Sequence, residues 1–166
     1  AEAFGGLESF FMQRDVGKRG TFRIEGRGIF DNHDYLLKLE LTQPDIGFVR
    51  GGYREFRTWY DGSGGFFPAT NGWFSLFDDQ MHIDRGEAWF ETGLTLPNVP
   101  QVSLRYSHQF RDGRKDSTIW GDAGFAGLPA DADTRGIVPS FRDIDETRNI
   151  LEGRVTHTFG KTDFDA

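Results

Sequence analysis

Five runs of this chain alternate apolar and polar side chains for eight to twelve residues each, and that period constrains the fold more than any other feature. A period of two places successive side chains on opposite faces of a strand, whereas a helix needs a period near 3.6. The clearest run is Val102 to Arg111. Val102, Leu104, Tyr106, His108 and Phe110 fall on one side, with Ser103, Arg105, Ser107, Gln109 and Arg111 on the other. Thr21–Phe30, Tyr35–Thr42, Arg85–Leu96 and Leu151–Phe159 read the same way. Phe48–Tyr60 is a further strand whose phase slips near Arg54-Glu55, which predicts a bulge. A weaker strand lies within Phe4–Gln13.

The runs are long. Strands of water-soluble proteins are most often about five or six residues, while a tilted strand crossing a bilayer takes roughly 9–11. The connections are of two kinds. Pro44-Asp45-Ile46-Gly47, Pro97-Asn98-Val99-Pro100 and Gly160-Lys161-Thr162-Asp163 read as tight turns. On the other edge lie a short link at Asp31–Asp34 and long loops at about 61–84 and 112–146. Tight turns on one edge and long loops on the other are the layout of outer-membrane barrels. The expected fold is therefore all-β: an antiparallel transmembrane β-barrel segment of about six or seven strands. A bacterial membrane barrel needs at least about eight strands to close, and open edges in lipid leave backbone groups unsatisfied. Residues 1–166 then form one partial barrel domain, a fragment of a longer barrel or one stave of an oligomer. Both termini look unfinished, and Ala1-Glu2-Ala3-Phe4 has no signal-peptide pattern.

The polar side of the strands carries Arg23, Glu25, Arg27, Lys38, Glu40, Arg85, Glu87, Glu91, Arg105, Glu152 and Arg154. In a barrel these line the lumen, with cations and carboxylates placed to form ion pairs between strands. Phe30, Tyr35, Trp59, Tyr60, Phe110 and Phe159 lie near strand ends, where aromatic girdles form. A soluble β-sandwich explains the alternation equally well, but not the strand length or the one-sided loops.

Composition narrows the chemistry. With 19 Lys+Arg against 26 Asp+Glu the net charge is −7, and no basic stripe points to nucleic acid. The absence of Cys removes disulfides, thiolate metal sites, a Cys nucleophile and covalent haem attachment. Four His (His33, His82, His108, His157) form no ligand cluster in sequence. Ser63 in Asp61-Gly62-Ser63-Gly64-Gly65 lacks the spacing and strand-to-helix context of a nucleophile elbow, so a glycine turn is the better reading. Asp131-Ala132-Asp133 and Asp143-Ile144-Asp145-Glu146 lack Ca²⁺-loop spacing and read as solvated loop carboxylates. No catalytic, cofactor-binding or metal residue is expected, and the chain does not read as an enzyme.

Four phrases carry a resemblance: Tyr53-Arg54-Glu55-Phe56-Arg57-Thr58-Trp59-Tyr60-Asp61-Gly62-Ser63-Gly64-Gly65-Phe66-Phe67-Pro68, Asp84-Arg85-Gly86-Glu87-Ala88-Trp89-Phe90-Glu91, Asp112-Gly113-Arg114-Lys115-Asp116-Ser117-Thr118-Ile119-Trp120-Gly121-Asp122, and Ile137-Val138-Pro139-Ser140-Phe141-Arg142-Asp143-Ile144-Asp145-Glu146-Thr147-Arg148. Together, over about Gly47–Arg148, they resemble an internal stretch of the MtrB/PioB-type outer-membrane β-barrels. The resemblance implies a large barrel in the bacterial outer membrane that sheathes a multihaem c-type cytochrome, with haem only on that partner. Some members carry a Cys-x-x-Cys near the N-terminus and this chain has none, and family barrels are several times longer. The alternatives are a diffusion porin or solute channel of the same architecture and a soluble β-sandwich ligand-binding module.

Overall fold

The protein is described here from a computed structural model covering residues 5–30, 32–67, 72–77, 80–122, 135–159 and 162–166. It is all-β. The strands are β1 (Gly6–Val16), β2 (Gly20–Ile29), β3 (Asp34–Gln43), β4 (Gly47–Trp59), β5 (Gly65–Phe67), β6 (Gly72–Phe74), β7 (His82–Leu94), β8 (Gln101–Asp122), β9 (Arg135–Phe159) and β10 (Thr162–Asp165). Eight of them form one antiparallel sheet in the order β1-β2-β3-β4-β7-β8-β9-β10, and β5-β6 form a separate hairpin. Among the described residues no pairing joins β1 to β10. No helix among them is long and apolar enough to cross a membrane.

Each strand pairs with its chain neighbour in the main sheet, so the connections alternate between edges. Turns at 17–19, 44–46 and 95–100 share an edge with the β9–β10 link. Gly17 (φ 65°), Asp45 (φ 64°) and Asn98 (φ 61°) supply the left-handed residues of three of these turns, a conformation that Gly, Asp and Asn adopt most readily. At the β9–β10 link residues 160 and 161 lie outside the described residues, and Thr162 pairs with Phe159.

The structure corrects the sequence reading in four places. The main sheet has eight strands, not six or seven, because the segment after the last turn also pairs. The loop at 61–84 contains the β5–β6 hairpin. The loop at 112–146 is largely strand, since β8 continues to Asp122 and β9 begins at Arg135. Asp112-Gly113 looks like turn sequence, but Gly113 takes φ 134° within β8 and the strand carries on through it. Finally, β3 and β4 stay in regular register to Tyr35↔Glu55, so no bulge interrupts that pairing at Arg54-Glu55. The register shift lies instead in β1, between Leu7 and Phe10.

Chain contacts divide the molecule into two units, residues 1–57, 85–110 and 147–166 in the first and residues 58–84 and 111–146 in the second. Their interiors differ in chemistry. Met81, Ile83, Val138 and Ile144, the buried apolar residues among those described, all belong to the second unit. In the first unit the buried side chains are polar: Glu87 (6% exposed), Glu91 (7%) and Ser107 (2%). Its leucines lie on the surface, Leu37, Leu39 and Leu41 on β3 and Leu104 on β8 among them. A layer with charges inside and leucines outside inverts the usual soluble arrangement.

Close packing on the charged face depends on Gly52. A Cβ at this position would lie 2.7 Å from the Leu37 carbonyl oxygen and 2.9 Å from Trp89 Nε1. Gly52→Val is therefore expected to destabilise by about 1–3 kcal/mol through overpacking, read as a lower midpoint in denaturant unfolding. An unchanged midpoint would mean that the Trp89 ring does not rest on Gly52.

Candidate functional site

The charged face is built by register. β2 and β3 align Arg23↔Glu40 and Glu25↔Lys38, and β3 and β4 align Glu40↔Arg50 and Lys38↔Gly52. Directly opposed residues of paired strands share a face, so these side chains all project to one side. Lys38 Nζ lies 3.5 Å from Glu25 Oε2, and Arg27 Nη2 donates to Asp34 Oδ1 at 2.7 Å. Arg23 donates to Gln13 of β1 at 3.2 Å and covers the Phe11 ring. Glu40 accepts from the Thr42 hydroxyl at 3.2 Å.

The centre of the face lies across β4, β7, β8 and β9. Arg50 holds Glu91 with two bonds, Nε at 3.0 Å and Nη2 at 2.8 Å. Arg54 reaches Glu87 at 2.9 Å. Arg105 spans three carboxylates: Glu87 at 3.2 Å, Glu91 at 3.7 Å and Glu152 at 3.9 Å. Its guanidinium also stacks 4.8 Å from the centre of the Trp89 ring. Gln109 adds an amide donor to Glu87 at 3.5 Å. Two buried carboxylates thus share three arginines, the pairing that a buried charge requires. On β9, Arg154 pairs with Asp165 of β10, its Nε at 2.9 Å.

All eleven residues expected to line a lumen lie in the first unit. The structure gathers Glu87, Glu91, Arg105 and Glu152 into one network and pairs Glu25 with Lys38. Arg27 and Arg154 find other partners, Asp34 and Asp165. Arg85 precedes the network on the same side of β7, two residues before Glu87. Sequence reading missed Arg50 and Arg54, which supply two of the five arginine–carboxylate pairs at the centre. The expected phase slip at Arg54-Glu55 hid them, although Phe48, Arg50, Gly52 and Arg54 keep a strict period of two.

The opposite face is apolar and uncovered within the described residues. Leu37, Leu39 and Leu41 of β3 oppose Tyr53, Gly51 and Val49 of β4. Met12 and Phe10 of β1 oppose Ile24 and Gly26 of β2. Phe90 and Leu94 on β7, Val102 and Leu104 on β8 and Leu151 on β9 are likewise exposed. Isolated surface leucines are ordinary, whereas contiguous apolar rows on several strands are the kind of patch found at protein or membrane contacts.

Other candidate groups resolve into local structure. His33 (φ 47°) bonds Glu55 at 2.9 Å, His82 bonds the Gln80 carbonyl at 2.8 Å, and His108 bonds Asn149 at 2.8 Å. Ser63 donates its backbone N–H to Asp61 Oδ1 at 2.9 Å, an Asx turn in the sense expected of this glycine-rich link. Asp143 and Glu146 are not loop carboxylates. They lie on β9, paired with Arg114 at 2.7 Å and Arg111 at 3.0 Å of β8. Asp131 and Asp133 lie outside the described residues. Of the expected girdle aromatics, Phe30 and Tyr35 meet edge-on at 6.2 Å, and Trp59 packs on His82 at 5.3 Å in the second unit. The Phe159 side chain lies outside the described residues.

Hydrogen bonds from Ser63, its side chain first and its backbone N–H second, hold the Asp61 carboxyl below the usual carboxylate range. A depressed folded pKa stabilises the turn above the unfolded value, and the contribution is lost as pH falls through the folded one. The protection of the Ser63 amide, its exchange rate relative to that of an unstructured amide at the same pH, is therefore expected to fall only below the ordinary Asp range, and Asp61→Asn should remove that change in protection.

No family model, no curated protein and no solved structure matches this chain.

Proposed function

We propose that this chain is a stretch of outer-membrane β-barrel wall, with the ion-paired face turned to the lumen and the apolar face turned to lipid. One observation carries the reading. A single antiparallel layer exposes leucine rows on one side and holds paired, partly buried charges on the other, with no buried apolar side chain among the described residues of the unit that carries both. Lipid covers the first face at no polar cost, and a wet lumen or polar guest suits the second. Strand edges in lipid require partners, and β1 and β10 do not pair with each other among the described residues; in this reading the two edges close on each other, on further strands or on neighbouring copies.

The lining favours a sheath over an ion-selective pore. Its carboxylates are matched locally by arginines, and among the described residues it carries no single-sign ring of the kind by which channels select ions. With the resemblance to MtrB/PioB-type barrels, this supports a role as a scaffold around a multihaem c-type cytochrome. The haem in this reading belongs to the partner, and the chain serves to insulate and position it. The test is purification of the native protein from membranes. Haem absorbance that co-purifies in detergent and remains after a high-salt wash supports the sheath. A detergent-solubilised barrel that conducts ions in planar bilayers with no haem present overturns it in favour of a porin. A protein that stays folded and monomeric in water without detergent overturns the membrane reading altogether.

A further inference from the structure

The ion-paired face mixes both signs in sequence, but the two signs are not equally exposed. On β2, β3 and β4 its cations Arg23, Arg27, Lys38 and Arg54 are exposed, whereas its carboxylates Glu25, Asp34 and Glu40 are half-buried. Lys38 and Glu25 differ least. Between β4 and β7 the contrast is sharper. The side chains of Arg50 and Arg54 are 41% and 63% exposed, and those of their partners Glu91 and Glu87 only 10% and 8%. Arg105 pairs with the same two carboxylates while 34% exposed. The pattern stops at β9 and β10, where Glu152, Arg154 and Asp165 are all exposed.

Long aliphatic stems carry the heads of arginine and lysine away from the sheet, while the shorter carboxylates stay near its base. A body that approaches this face therefore meets guanidinium and ammonium first. The arginines keep donors for it. A guanidinium has five N–H groups; Arg50 commits Nε and Nη2 to Glu91, and Arg54 reaches Glu87 through Nη2. The buried carboxylate also holds each arginine in place, so less side-chain freedom is lost when a second anion binds.

The spacing indicates the kind of anion. Arg27, Leu36 and Arg54 stand in register across β2, β3 and β4, which roots the two arginines two strand spacings apart, roughly 10 Å. Arg50 and Arg54 are rooted four residues apart on β4, roughly 13 Å. A small carboxylate meets one such cation at a time, whereas the carboxylates of a folded surface meet several together.

We infer that this face receives a protein surface rich in carboxylates, with Arg27, Lys38, Arg50 and Arg54 as its contact residues. The inference rests on the reading of the face as the guest side of a barrel wall, and it specifies the chemistry of the guest. Complementary charge of this kind sets partner choice and register.

The full chain in non-ionic detergent is titrated calorimetrically with poly-L-glutamate, poly-L-lysine and free glutamate. The net charge of −7 works against the expected result, since non-specific attraction would favour polylysine. Polyglutamate should bind about ten-fold more tightly than polylysine, and added salt should weaken it. Arg54→Gln and Lys38→Gln should each weaken it about two- to five-fold, and Glu152→Gln should not weaken it. Lys38→Gln deprives only the half-buried Glu25 of its partner, so it keeps the test readable where Arg54→Gln lowers the unfolding midpoint. Polyglutamate binding no tighter than polylysine overturns the inference, as does polyglutamate binding that neither substitution changes. Free glutamate that binds as tightly as the polymer overturns the protein partner in favour of a small anion. The detergent requirement is read separately. A chain that needs detergent but fails these tests leaves the barrel wall without an acidic guest. A chain that stays folded and monomeric in water and prefers polyglutamate keeps the cationic surface and loses the barrel.

Discussion

Replacing Leu39 by arginine is expected to destabilise the protein by about 2–4 kcal/mol in lipid vesicles, the range for a cation at the bilayer midplane of a barrel. Leu39 is 40% exposed, between Ile24 of β2 and Gly51 of β4. If that face met water, the change would be a routine surface substitution worth no more than about 0.5 kcal/mol. The two environments therefore differ several-fold in predicted effect, and denaturant titration of the reconstituted protein separates them. Leu104→Arg on β8 should behave alike. A near-zero change at both positions would remove the argument for lipid on this side.

Arg105→Ala is the second large effect, with an expected loss of about 3 kcal/mol, the lower end of the range for breaking a buried ion pair. Glu87 and Glu91 are almost fully buried, and the loss of Arg105 leaves them with one arginine each, Arg54 and Arg50. The same change removes the stacking on Trp89 and the link to Glu152 across β8 and β9. Arg105→Lys should recover only part of the stability, since one ammonium cannot reproduce a planar fork that serves several carboxylates. Glu91→Gln, which keeps shape and removes one charge, should cost less than Arg105→Ala. Equal midpoints for wild type and Arg105→Ala would show that the network is fully solvated.

Taken together, the two substitutions test opposite faces of one sheet. A charge added on the leucine face and a charge removed from the ion-paired face should both be destabilising, whereas a leucine face that meets water predicts the first to be mild. That contrast does not depend on what meets the charged face.

Strand identity was legible because alternation is local: Val102 to Arg111 and Tyr35 to Thr42 declare their faces with no reference to any neighbour. The eleven charged positions were legible for the same reason. Arg50 and Arg54 were lost to an expected bulge, because pairing with β3 fixes the phase of β4 and the sequence of β4 alone does not. The lengths of β8 and β9 were also hidden. Asp112-Gly113 and Asp143-Ile144-Asp145-Glu146 have loop composition, and only the cross-strand pairs Arg111–Glu146 and Arg114–Asp143 show why they remain extended.

The sequence alone thus determined the all-β class, the two-faced strands and the absence of cysteine chemistry, since each follows from residue types and their period. Tertiary structure decided the strand number, the register, and the gathering of Glu87, Glu91 and Arg105 into one network with Trp89. Those features depend on residues tens of positions apart meeting across strands, and a period of two gives the face of a side chain but not its neighbour.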